Sequence, residues 1–380
     1  MADITDIRQV RKKRKQKKTI IRIALVLIII IGCFFGFLYR NEIRNFLEGT
    51  YNNISLTQNA SGYPQIINGT QVEKVFTSNE KIAVLSDMSL TLLSDEAKRI
   101  TTLKHSYNNP DAYISGKYIL IFNRGGNKFS LYTNEKEIYT ITTNAPILET
   151  AVSSSGKVAV ATGSDTNNTT MIVYSKEKEE VLKWNSSNQV TSISFSEDDS
   201  KLCVSSVHTK NGLIFSNITV MKQDSSKPVF EKTIENQMIL RTYYNSKGNI
   251  FALGDTKTFL INSQGEIKNQ VDYKTNLTAF CNSNDNLVIF EGENSVVSGG
   301  IISIFDCDLN LKSTIDISQK LQSLTISEQK ISFVTDRKVF VYNLEGTLTD
   351  EFISDGKYIY SIVNGGKIVG ITSSAIELLK

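Results

Sequence analysis

The last 24 residues, "KYIYSIVNGGKIVGITSSAIELLK" (Lys357–Lys380), decide the fold. They read as a β-strand ending at a Gly365–Gly366 turn, a second strand over Lys367–Ser373 and a third over Ala375–Leu379. Apolar residues alternate with polar ones, and Gly, Asn and Ser mark the turns. Every earlier unit of this kind carries a fourth strand, so the last one is a strand short.

Working outward, the same segment recurs eight times: an apolar strand, a short Ser/Asn/Gly/Asp turn, then a second apolar strand. The last apolar residue before each turn is Phe76, Ile114, Val152, Phe195, Tyr244, Cys281, Ile326 and Val363. The spacings are 38, 38, 43, 49, 37, 45 and 37 residues, close to the ~40–45 of a four-stranded, WD40-like propeller blade. The expected fold is all-β: an eight-bladed β-propeller, with seven blades as the alternative, preceded by one N-terminal transmembrane helix. Each blade runs A-B-C-D from the centre outward. A solenoid would need polar caps at both ends, whereas this chain starts and stops within a unit. The missing D strand of blade eight is assigned to "YPQIIN" (Tyr63–Asn68), which zips the two ends together and protects the last blade's edge.

The N-terminus is different in kind. Residues 1–22 hold nine Lys/Arg against Asp3 and Asp6, a local charge of +7 in a chain of net +3, so the rest carries −4. The body therefore has no electrostatic footprint for nucleic acid. The basic run abuts 17 uncharged residues, Ile23–Tyr39, enough to span roughly 26–30 Å as a helix. Basic residues stay in the cytoplasm, so the body is expected outside. The expected division is a basic cytoplasmic tail 1–22, a transmembrane helix 23–40, a linker 41–62 and an extracytoplasmic propeller 63–380. "IIGC" (Ile30–Cys33) has the order of a lipoprotein cleavage box, but the apolar run continues past it.

Catalytic signatures are missing. The chain has two His, His105 and His208, and no HExxH, CxxC or GxSxG. "NRGGNK" (Asn123–Lys128) lacks the ending of a phosphate loop and reads as a tight hairpin. Cys203, Cys281 and Cys307 read as unpaired thiols on apolar strands. Quinone-dependent dehydrogenases on eight-bladed rings carry a Trp in nearly every blade, whereas only Trp184 occurs here. No enzyme activity, cofactor or metal is expected.

Two surfaces remain. The position three before each alignment point gives Glu73, Asp111, Glu149, Ser192, Arg241, Thr278, Ser323 and Tyr360, a nearly continuous polar ring on the strands that line the channel. Glu73, Asp111, Glu149 and Arg241 are the candidates for a channel ligand or ion, with solvated wall as the plain alternative. The second surface is the rim of D–A and B–C connections, where binding loops concentrate. Its candidates are Tyr107 and Asn108 in "HSYNNPD", Arg124 in the RGG hairpin, and His208, Asn211, Leu213 and Phe215 in "HTKNGLIFSN" (His208–Asn217). The plain alternative for "GLIF" is an extension of strand C. "EGENSVVSGG" (Glu291–Gly300) is a second long B–C connection. The implied role is a scaffold that binds another envelope protein or a surface ligand, with a single-pass sensor subunit or an enzyme with a site in the central channel as the alternatives.

"SYNNP" followed by "KYILIFNRGGNKFSLYTNEKEIYTI" (Lys117–Ile141) resembles a Gram-positive bacterial family, domain of unknown function number 5711. The RGG hairpin is the most specific element, and the likeness extends over nearly the whole chain. The resemblance implies a short cytoplasmic tail, one transmembrane helix, a propeller-like exterior and a clostridial-type host. It implies no activity.

Overall fold

A computed structural model describes residues 62–78, 81–283, 285–292 and 299–380. The basic tail, the apolar run with Cys33 and almost all of the linker lie outside the described residues, so the expected membrane helix is not among them. No helix among the described residues is long and apolar enough to cross a membrane.

These residues form eight four-stranded antiparallel sheets. The innermost A strands are Val72–Ser78, Pro110–Ser115, Ile147–Val152, Gln189–Phe195, Ile239–Tyr244, Asn276–Asn282, Leu321–Ser327 and Tyr360–Asn364. All eight alignment residues lie on them. Within each blade the four strands pair with their neighbours in spatial order.

The core lies between blades, which explains the sequence pattern of the second strands. Side chains alternate between the two faces of a strand, and both faces of a blade are covered. In Tyr118–Asn123, Tyr118, Leu120 and Phe122 pack against blade three, while Ile119 and Ile121 pack against blade one. Such a strand must be apolar throughout, whereas the outermost strands alternate because one face meets water.

Blade eight closes as the terminal sequence required. Gln65–Ile66 pairs with Ala375–Leu378 in the register Gln65↔Ile376 and Ile66↔Ala375. The donated strand is shorter than Tyr63–Asn68, although Ile67 N extends the pairing by donating to Ser374 O at 2.9 Å. Ile67 is the residue that seals the joint: it is 4% exposed, whereas Ile66 is 37% exposed. It packs with Val72, Ile82, Ile362 and Ile376 between blades eight and one. Gly365 and Gly366 take φ of +59° and +72°, as a two-residue turn requires. Their amides donate to Glu328 of blade seven, at 2.9 Å from Gly366. Asp199 of blade four likewise accepts from Ser155 N of blade three at 2.6 Å. Carboxylates on the A–B turns thus tie adjacent blades together on this face.

Candidate functional site

The chain reverses at every strand, so the D–A and B–C connections share one face and the A–B and C–D turns share the other. The A strands begin at the first face. There, six of the eight carry a register shift near their start, and such bulges re-aim side chains.

The strand pairing corrects the polar ring. Counted from the A–B hairpin, Ser78 pairs with Lys81 as Ser115 pairs with Tyr118, so Lys74, not Glu73, is equivalent to Asp111. Glu73 is the bulged residue, and its carbonyl accepts from Tyr360 Oη at 3.2 Å. Thr278 is likewise an exposed bulge, and its place is taken by Ala279. Bulges at the same place in blades three, four, five and seven leave the count intact; it fails here because Phe76 and Cys281 stand one residue before the true equivalents of Ile114, which are Thr77 and Asn282.

The corrected ring is a network of opposite charges. Lys74 Nζ lies 2.9 Å from Asp111 Oδ1, and Arg124 binds the other oxygen of Asp111. Arg124 Nη1 stands 4.0 Å from Glu149 Oε2, which Arg241 Nη1 approaches to 2.5 Å from blade five. Tyr113 Oη donates to Glu149 Oε1 at 3.0 Å, and Arg241 also donates to Thr191 O at 3.1 Å. Lys74 Nζ sits 4.6 Å above the Tyr113 ring. Asp111 and Glu149 are buried, 9% and 3% exposed. Burial alone would raise the Asp111 carboxyl, but Lys74 and Arg124 hold it below the usual carboxylate range. Burial would lower Arg241, and Tyr113 and Glu149 beside it more than compensate. Burial first, and then the Glu149 charge, push the Tyr113 phenol up.

Asp111 and Glu149 are already neutralised by three cations of the chain itself, and no cluster of metal-ligating groups occurs among the described residues. The rest of the ring is uncharged. Ser192 Oγ accepts from Thr242 N at 3.0 Å, and Ser323 is buried with its hydroxyl unpartnered.

Arg124 is thus a channel residue, not a rim residue. Its hairpin forms the expected turn, with Gly126 N donating to Asn123 O at 3.0 Å, but its guanidinium folds inward. Nothing local in the sequence marks that direction; it depends on Asp111, 13 residues away along the chain. Tyr107 also turns inward, bonding Ser130 Oγ at 2.7 Å and stacking on His105. Asn108 stays exposed on the D–A turn.

The blade-four connection is a correction too. His208–Asn217 is not a loop: strands Lys201–Lys210 and Leu213–Lys222 run unbroken to a two-residue turn at Asn211–Gly212. Ten-residue strands stand beyond the rim, where other B strands have five to seven residues. His208 pairs with Phe215 and their rings stack at 5.4 Å. Leu213 and Ile214 are 50% and 38% exposed. Of the second long connection, residues 293–298 lie outside the described residues.

The cysteines are free. Burial pushes the Cys203 thiol up to about 12 and raises Cys281 as well. Cys307 sits in the turn after strand Gly300–Asp306, not on a strand.

With this geometry in place, the relatives can be placed. Residues 50–380 match the model of the "Family of unknown function (DUF5711)". The chain belongs to that family. No curated protein sequence matches it. Among solved structures, the computationally designed Ika8 protein superposes with a TM-score of 0.61 at 9% identity, over 81% of this chain and 96% of that one. Sqt1 from Saccharomyces cerevisiae gives 0.60 at 11% identity, over 84% and 99%. BamB from Moraxella catarrhalis gives 0.55 at 10% identity, over 84% and 99%. Likeness at such identities speaks for the fold alone. The propeller fold is consistent with a binding scaffold.

Proposed function

We propose that the chain is a non-catalytic binding scaffold at the cell membrane, presenting the D–A and B–C face of its propeller to another envelope protein or a surface ligand. The blade-four hairpin carries this reading. A twisted ladder holds Leu213 and Ile214 out in water, and apolar side chains on a rigid projection are the usual form of a contact site. The non-catalytic part rests on the channel carboxylates, each held by cations of the chain. The location rests on the basic and apolar runs of the N-terminus, with the tail in the cytoplasm and the propeller outside.

The test is in-cell cross-linking of the full chain followed by its recovery. Replacing Leu213 and Ile214 with Ser should remove specific cross-linked partners. Unchanged recovery of the same partners overturns the rim reading. Protease added to intact cells should degrade the propeller and spare the tail; the reverse overturns the orientation.

A further inference from the structure

A cavity of about 660 Å³ opens on the rim where the blade-four hairpin rises beside blade three. That lies within the size range of small-molecule sites, ~300–1,000 Å³. The hairpin makes it: Gln189, at the start of strand A, pairs with Val207, and beyond that point His208 and Thr209 continue upward as a wall paired only with strand C. The floor comes from Asn168, Ser187 and Asn188 on the blade-three side. Gly163 adds no side chain, and a Cβ there would meet only open space.

The lining mixes polar groups with the apolar Leu148 and Val207 and carries no carboxylate, ammonium or guanidinium group. Ions are therefore poor candidates, because nothing there would repay their desolvation. Hydrogen-bonding capacity is nevertheless in surplus. The side-chain amides of Asn188 and Gln189 have no hydrogen-bond partner among the described residues. Each amide offers two donors and a two-lone-pair acceptor. The His208 ring adds a planar wall, backed by Phe215. Amides that donate and accept at once, beside a flat ring, match vicinal hydroxyls on a ring with an apolar C–H face.

We propose that this cavity binds a neutral saccharide, with Asn188 and Gln189 taking its hydroxyls and the His208 ring packing on its C–H face. This deepens the rim reading above and rests on it for the accessibility of the hairpin.

The test uses the full chain in a detergent without a sugar headgroup. Saturation-transfer NMR is recorded with maltotriose, chitotriose and, as a competing chemistry, an end-blocked alanine tripeptide. At least one saccharide should show transfer with a Kd no weaker than about 1 mM. Replacing Asn188 and Gln189 with Ala should weaken it by about tenfold or more, the loss of two hydrogen bonds, with an unchanged melting curve. Should the double variant fail to fold, the exposed Gln189→Ala alone carries the comparison. Absence of transfer from both saccharides, transfer from the tripeptide only, or equal saccharide binding by the folded variant each overturns the proposal. Cross-linking through Leu213 and Ile214 reports separately: saccharide binding can fail while partner capture stands.

Discussion

The B–C hairpins of blades two and four leave the same face and look alike in sequence, each a polar turn with glycine between apolar strands. One folds its Arg124 into the channel mouth, where it meets Asp111 and approaches Glu149. The other grows outward and leaves Leu213 and Ile214 in water. The difference is one of accounts settled inside or outside the molecule. The first hairpin satisfies its charge on its own chain and belongs to what holds the ring. The second has apolar surface with no partner among the described residues and belongs to what the ring presents.

If that division is right, changes on the holding side should cost stability, and changes on the presenting side should cost only binding. The largest effect should come from the closure of blade eight. Removing residues up to Asn68 takes away the donated strand and Ile67, whereas stopping at Ala60 leaves both. Burial of one Ile contributes about 1.5–3 kcal/mol and each lost ladder bond about 0.5–1.5. The longer truncation should therefore lose several kcal/mol in chemical denaturation and aggregate through the exposed edge. Equal stability of the two truncations would mean that the ends are not joined.

Next comes Glu149→Ala, which strands Arg241 and the Tyr113 hydroxyl together. Breaking a buried pair from one side costs about 3–5 kcal/mol, and the lower end applies because the Arg241 side chain is 24% exposed. Denaturant midpoints measure it, and a loss below about 1 kcal/mol would move this network to the ornamental side.

Asp111→Asn should cost less, about 1–2 kcal/mol at pH 7, since Lys74 and Arg124 are each about a third exposed and screened. Its signature is in the pH profile. The Asp111 carboxyl is depressed in the folded state, so its contribution is complete above the ordinary value near 4 and disappears as pH falls through the lower folded value. The parent should lose stability in that acid window, and the variant should show a shallower loss. Parallel acid profiles would show that the pair adds nothing.

The smallest stability effect belongs to the presenting side. Leu213→Ser with Ile214→Ser should change the melting point little, within about 0.5 kcal/mol per site, while partner capture falls. A clear drop in stability instead would show that the hairpin tip is packed and not presented.

Much of the holding side could be read from the sequence. The spacing of Phe76 to Val363 counted the blades, because every blade must fill two interfaces and each second strand is therefore apolar throughout. The shortfall after Ala375–Leu378 located the closing strand before Val72, because an open edge has to be paired. Asp111, Glu149 and Arg241 were visible as polar residues where the strand period demands a channel position.

What the sequence could not decide is where that period breaks and where a side chain goes after it leaves its strand. In blades one and six the residue that matches Ile114 is polar, Thr77 and Asn282, so the last apolar residue before the turn lies one place early, and Lys74 and Ala279 hold the places read for Glu73 and Thr278. Arg124 and Leu213 occupy comparable positions on two hairpins, yet one is drawn inward and the other is not. Only the tertiary structure decides this, because the pull on Arg124 comes from carboxylates brought beside it by neighbouring strands and blades, while Leu213 rises past the first residue of its own A strand, Gln189, and has no A strand beside it.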